Sequence, residues 1–218
     1  MKRIAFYGGS FDPLHIGHLA IARKLSEIFH LEEFYFIPAF HAPHKKDKKV
    51  TSAFCRYAML ALATNNDEQI KISTIELEAP ERPYTFETQA KLINHYGVEA
   101  EIFFVIGADS WNEITTWREW EKVLTQTNII VVTRPDYEII FDHITDKIRE
   151  EIVDLRNDQP ETKNQKPKTK NQIYITDSVF IDVSATEIRQ KIKDNESGWR
   201  ELVPEEVAKY VEKYNLYI

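Results

Sequence analysis

The stretch Phe6-Tyr-Gly-Gly-Ser-Phe-Asp-Pro-Leu-His15-Ile-Gly-His18 carries an apolar run, begun at Ile4, through Gly8 and Gly9 into an amphipathic helical pattern. A strand that breaks at glycines and feeds a helix lets main-chain N–H groups approach an anion closely, and the helix dipole adds positive potential there. His15 and His18 are three residues apart, so both imidazoles project from one face of the first helical turn. Two such donors beside a glycine loop suit a phosphate chain whose charge shifts during a reaction, which predicts a nucleotide-handling site. Zinc binding by the histidine pair lacks an evident third ligand. A strand–glycine–helix turn serving topology alone is the plainer alternative, but the string is longer and more constrained than a lone glycine motif.

Outward from this stretch, apolar runs alternate with helical periodicity. Strands are predicted at 3–7, 33–37, 70–73, 101–106, 128–132 and 172–175, and helices at 16–29, 52–64, 85–96, 117–124, 141–155, 185–193 and 204–214. The alternation predicts βαβ units and an α/β, doubly wound, Rossmann-like parallel sheet covered on both faces. Such sheets hold ligands beyond the carboxyl ends of their strands, where strand order reverses. At 218 residues the chain fits one domain, 1–218. Residues 157–172 carry four lysines and no apolar residue other than proline, which predicts a flexible surface insertion.

Bulk properties narrow the function. A formal charge of −7 argues against a nucleic-acid partner, which needs a basic stripe, and leaves room for a small positive pocket. No apolar run reaches membrane-spanning length, so no membrane partner is expected. A single cysteine, Cys55, excludes an internal disulfide and suits a reducing compartment, and with no cleavable leader the expected location is the cytoplasm. Cys55 reads as a buried structural thiol.

Five further motifs follow predicted strands or open predicted helices. Pro38 and Pro43 stiffen the segment leading to Lys45, a point charge suited to a triphosphate, although Lys46, Lys48 and Lys49 make a solvated lysine loop an equal reading. Tyr84-Thr85 precedes a helix, with Thr85 as the expected cap and exposed N–H groups able to accept a carboxylate. Gly107-Ala-Asp109 ends a strand with a carboxylate placed for ribose hydroxyls. Trp117 and Trp120 share a helical face as read from spacing, either as core or as a stacking surface for a flat ring. Ser184-Ala-Thr-Glu187 is a capping box, which structure alone explains; Thr186 at the helix start and Arg189 about one turn in would make a second phosphate site facing the first.

Together and in order, these motifs, with Ile37-Pro, Arg134-Pro135 and the closing Leu202-Val-Pro and Tyr214-Asn-Leu-Tyr217, closely resemble the bacterial nicotinate-nucleotide adenylyltransferases of the nucleotidylyl transferase superfamily. The likeness covers nearly the whole chain. Three positions depart from it: Glu87 where an aspartate is expected, Cys55-Arg56 where a histidine is more usual, and a longer 157–172 segment. The resemblance implies transfer of the adenylyl group of ATP to nicotinate mononucleotide, with Mg²⁺ escorting ATP mainly through its phosphates and no dedicated protein metal site. It implies catalytic roles for His15, His18, Lys45 and Arg189. It implies ATP contacts from Gly8, Gly9, Ser10, Phe11, Gly107, Ser184 and Thr186 beside the histidines and arginine. Tyr84, Thr85, Asp109, Trp117 and Arg134 would take the mononucleotide. A sister enzyme acting on nicotinamide mononucleotide or phosphopantetheine, and a non-catalytic nucleotide-binding regulator, are the alternatives; homo-oligomerisation is compatible with all of them. A class I tRNA synthetase shares His-Ile-Gly-His, but the chain lacks a second signature loop and an anticodon-binding domain.

Overall fold

The computed structural model describes residues 1–40, 50–81, 83–133, 137–156, 171–179 and 183–218. Strand β1 (Lys2–Gly9) is followed by α1 (Ile16–Ile28), β2 (Glu33–Pro38), α2 (Ala53–Thr64), β3 (Ile70–Ile72) and α3 (Thr85–Tyr96). The second half runs β4 (Ala100–Gly107), α4 (Ala108–Asn112), α5 (Trp120–Gln126), β5 (Asn128–Val132), α6 (Asp146–Arg149), β6 (Ile152–Asp154), β7 (Ile173–Thr176), α7 (Ala185–Lys193) and α8 (Glu205–Lys213). All pairings among the described residues are parallel, in the order β3-β2-β1-β4-β5-β7-β6. The sequence moves outward from β1 to β3, then returns to place β4 on the other side of β1. Strand order therefore reverses between β1 and β4, and the crevice beyond their carboxyl ends is where a doubly wound sheet receives its ligand.

The central strands read as near-continuous apolar runs because both their faces are covered. On one face Ile4, Phe6, Phe104, Ile106, Ile129 and Val131 pack with Leu92 of α3, Trp111 of α4, Val123 of α5 and Ile148 of α6. The alternate residues Ala5, Phe34, Phe36, Phe103, Val105 and Ile130 meet Leu19, Ala22 and Leu25 of α1 and Leu60 of α2 on the other. A smaller cluster joins Met59 to Ile188 of α7 and to Val207, Ala208 and Val211 of α8. Among the described residues no helix is long and apolar enough to cross a membrane.

Several expectations are corrected. The helix expected over 141–155 is a single turn, α6, followed by β6. Ile152 and Val153 sit better as a strand, because the ladder bonds Ile173 N–H to Glu151 O (2.9 Å) and Leu155 N–H to Ile175 O (2.8 Å) extend the sheet past β7. The helix expected at 117–124 starts only at Trp120, since Glu119 adopts a left-handed backbone (φ 54°) that no continuous helix tolerates. Trp117 instead ends a 3₁₀ turn over Ile114–Thr116 in extended backbone, so it shares no helical face with Trp120. Most of the expected 157–172 insertion lies outside the described residues, but Gln172 belongs to the sheet. It is 6% exposed, its N–H donates to Asn128 Oδ1 (3.0 Å) and its carbonyl accepts from Ile129 N–H (2.8 Å). Cys55 is half-buried rather than enclosed and lies against Tyr210, whose hydroxyl is pushed up to about 12 by burial and by this contact.

Candidate active site

The loop from Gly9 to His15 is built around close packing. A Cβ on Gly9 would lie 2.9–3.2 Å from the Phe11 ring, so this position accepts only glycine while that ring stays in place. Phe11 is 2% exposed in left-handed backbone (φ 48°), edge-on to His18, Phe36 and Tyr7 at 5.0–5.6 Å. Its side chain is a core wedge, so a nucleotide could meet only its main chain.

His15 and His18 come together as their spacing implied. Their rings stack with centroids 3.6 Å apart and planes at 29°. His15 occupies the N-cap of α1, and its N–H donates to His18 Nδ1 (3.2 Å). With Nδ1 accepting, the neutral His18 ring carries its proton on Nε2. The first turn of α1 holds no acidic residue, so the positive end of its dipole is not offset. The first turns of α3 and α7 differ, holding Glu87 and Glu187.

Arg189 of α7 reaches back to this loop. One Nη donates to the carbonyl of Asp12 (2.5 Å) and the other to Thr186 Oγ1 (3.1 Å). Among the described residues these two bonds engage two of its five N–H groups. Only half of the expected capping box forms: Ser184 Oγ accepts from Glu187 N–H (3.1 Å), while the Glu187 carboxylate turns to Lys191 (3.6 Å).

Across the crevice, the register Tyr7 opposite Val105, carried two residues further, sets Gly9 level with Gly107. Gly107 closes β4 and caps α4, and a Cβ there would stand 2.6 Å from Asp109 Oδ1. The absent side chain is what lets the exposed Asp109 carboxylate fold over the end of the strand. Trp117 is half-buried against the same core cluster.

At α3 the expectation is corrected. Tyr84, not Thr85, occupies the N-cap, and Glu87 supplies the carboxylate, its Oε2 accepting from Tyr84 N–H (2.8 Å). Thr88 is fully buried with its hydroxyl on Glu76. Glu87 offsets part of the helix dipole and uses one donor; among the described residues the N–H groups of Thr85 and Phe86 have no acceptor. Arg118, which sequence reasoning passed over, lays its guanidinium 4.8 Å over the Tyr84 ring and restores positive charge at this end. Lys45 and Arg134 lie outside the described residues.

Sequence reasoning also missed the residues that hold the loop from behind. Arg56, 1% exposed, donates to the carbonyls of Thr51 (3.0 Å), Ser10 (2.6 Å), Ala39 (2.5 Å) and Phe40 (3.3 Å). Burial lowers its proton affinity and the Asp12 carboxylate beside it raises it. Asp12 spends both oxygens on protein, Oδ2 on Thr51 N–H (3.2 Å) and Oδ1 on the Tyr217 hydroxyl (2.7 Å). An arginine in a buried, helix-borne position followed by no acidic neighbour was the one available signal, and it does not identify four carbonyl partners.

The cytidylyltransferase-like family model matches residues 6–191. The probable nicotinate-nucleotide adenylyltransferase of Desulfitobacterium hafniense (strain Y51) is 34% identical over 216 residues, covering 99% of this chain and 96% of that protein. That of Desulfatibacillum aliphaticivorans is 34% identical over 220 residues, covering 99% and 100%. Among solved structures, the Plasmodium falciparum nicotinic acid mononucleotide adenylyltransferase complexed with NaAD superposes with a TM-score of 0.72 at 21% identity, covering 100% of this chain and 98% of that one. That likeness concerns the fold alone. Relatives above 30% identity along nearly the full length, on a sheet with this loop and these paired histidines, establish that the chain belongs to the nicotinate-nucleotide adenylyltransferase family of cytidylyltransferase-like nucleotidyltransferases.

Proposed function

We propose that the protein transfers the adenylyl group of ATP to the phosphate of nicotinate mononucleotide, giving nicotinic acid adenine dinucleotide and pyrophosphate for NAD synthesis. The observation that carries this reading is the return of Arg189 to Asp12, in the same loop that bears His15 and His18. One anion is thereby met from two elements far apart in sequence. An oxygen of the mononucleotide phosphate attacks the α-phosphorus of ATP, the bond to the β-phosphate breaks, and pyrophosphate leaves. No covalent enzyme intermediate is needed, so catalysis reduces to alignment and to donors aimed at developing charge. His18 Nε2–H, His15 and the open end of α1 would face the transferring phosphate, and Arg189 with Thr186 the leaving pyrophosphate. Gly8, Gly9 and Ser10 would let the main chain approach, Asp109 would hold a ribose, and Trp117 would cover the pyridine ring. Lys45 and Arg134 are proposed on sequence alone.

Mg²⁺ fits this site as a passenger on ATP. The one carboxylate of the loop, Asp12, is already engaged through both oxygens, so phosphates and water would supply the ligands and the metal would offset phosphate charge. The soluble substrates and the single Cys55 fit a cytoplasmic enzyme.

The acceptor is the acid rather than its amide, because Thr85 N–H, Phe86 N–H and the Arg118 cation favour a carboxylate over a neutral amide, while the nearby Glu87 carboxylate is drawn back to Tyr84 N–H. Pyrophosphate release from ATP with each acceptor tests this. The expected kcat/KM ratio is roughly 100-fold or more in favour of the acid, falling about tenfold in Arg118→Ala. Equal use of both acceptors by the unaltered protein refutes the assignment.

A further inference from the structure

Tyr217 is 205 positions from Asp12 in sequence, yet its hydroxyl donates to Asp12 Oδ1 at 2.7 Å. Asp12 is 5% exposed, and its carboxylate is pinned from the other side by Thr51 N–H at 3.2 Å. The same residue's carbonyl receives Arg189 at 2.5 Å. Asp12 is thus a junction. Its side chain is fixed by Tyr217 and Thr51, and its main chain fixes the guanidinium of Arg189. Tyr217 adopts left-handed backbone (φ 70°), a conformation that a bulky side chain keeps only where its surroundings impose it. Burial and the neighbouring Asp12 carboxylate push its phenol well above the usual range, so it remains a hydroxyl and a donor. Arg56 braces the flanking carbonyl of Ser10 but makes no bond to the Asp12 carboxylate, so the orientation of that carboxylate depends on Tyr217 and Thr51.

We propose that Tyr217 is a positioning residue for adenylyl transfer: its hydroxyl orients Asp12, whose carbonyl holds Arg189 at the phosphate loop. The inference rests on the reading of Arg189 as a phosphate contact. A purely structural role would lower stability and leave turnover per folded molecule unchanged. A positioning role loosens Arg189 and lowers kcat, because a donor slightly misplaced at the transition state loses much of its effect while ground-state binding, spread over many contacts, changes little.

The test compares Tyr217→Phe, Arg189→Ala and the double variant by steady-state pyrophosphate release from ATP and nicotinate mononucleotide. Tyr217→Phe deletes one oxygen and keeps the packed ring. Rates are taken per folded molecule from each variant's unfolding curve, at a temperature below the lowest melting midpoint. Expected are a roughly tenfold loss of kcat in Tyr217→Phe with both KM values within about twofold, a roughly 100-fold loss in Arg189→Ala, and a double variant no slower than Arg189→Ala alone. Wild-type kcat in Tyr217→Phe, or losses that multiply in the double variant, overturn the inference while leaving Arg189 in its role. Wild-type kcat in Arg189→Ala overturns both.

Discussion

Gly107→Ala separates the structural and functional demands on one glycine. The backbone there (φ −80°, ψ 162°) is open to any residue, so alanine brings no conformational strain. Among the described residues other than its chain neighbours, the atoms its Cβ would meet within 4 Å belong to Asp109, with Oδ1 at 2.6 Å, where an ordinary contact begins at 3.4 Å. The exposed carboxylate must therefore retreat by about 0.8 Å, the difference between those two distances, and it does so by rotating away from the crevice. Folding changes by less than about 1 kcal/mol, and alanine's smaller unfolded-state freedom offsets part of that. A hydrogen bond from a ribose hydroxyl to a carboxylate is worth about 1.5–3 kcal/mol, so its loss raises KM for the substrate held there roughly 10- to 150-fold. Initial rates over a matrix of ATP and nicotinate mononucleotide concentrations, beside a thermal melt, measure both quantities. Combining Gly107→Ala with Asp109→Ala adds nothing further if the carboxylate is the only thing displaced. Unchanged KM values in a stably folded Gly107→Ala refute the ribose role of Asp109; a fall of many degrees in melting temperature refutes the claim that the Cβ meets only a yielding side chain.

His18→Ala leaves a folded protein and lowers kcat by roughly 100- to 10,000-fold, since an imidazole stacked on His15 in the first turn of α1 is lost; near-normal turnover contradicts this. Arg56→Met empties a buried donor set and strands four carbonyls, costing about 3–5 kcal/mol in a denaturant titration, so a change below about 1 kcal/mol counts against the brace. Glu33 is partly buried, which raises its affinity for a proton, but hydrogen bonds from Lys2, Lys71 and Tyr35 outweigh this and lower its pKa to about 2. A lowered folded-state value means stability that is full above the unfolded value of 4.5 and lost as pH falls toward 2. With both lysines about two-fifths exposed, solvent screening trims the loss to about 1–2 kcal/mol, and Glu33→Gln should flatten this part of the urea-midpoint profile against pH.

The parallel sheet and the glycine loop with its histidine pair were legible because each rests on local signals. Apolar runs of strand length mark β1, β2, β4 and β5, and glycines before a helical period mark the loop. The segment 141–155 misled because Phe141, Ile144, Ile148 and Ile152 keep helical spacing, while the choice of strand at Ile152 depends on a ladder to β7 some twenty residues on. Trp117 was misplaced through a single left-handed residue, Glu119, which nothing in its side chain announces. The histidine pair declared itself by spacing. The bracing of the loop by Arg56, Asp12 and Tyr217 did not, since each of them finds its partners, main-chain groups or a side chain far off in sequence, through tertiary geometry.

Among the described residues, both edge strands of the sheet are three residues long. β3 is Ile70–Ile72 with Lys71 at its centre, and β6 is Ile152–Asp154 with a carboxylate at its end. A strand so short presents only one or two unpaired main-chain groups to a passing chain, and any pairing would have to desolvate that charge. The long, flat, apolar strands that template aggregation are all interior. The molecule thus keeps its most adhesive surface out of reach at the crowded concentrations of a cell, and a substitution that lengthened β6 or replaced Lys71 with an apolar residue would be felt first as self-association rather than as lost activity.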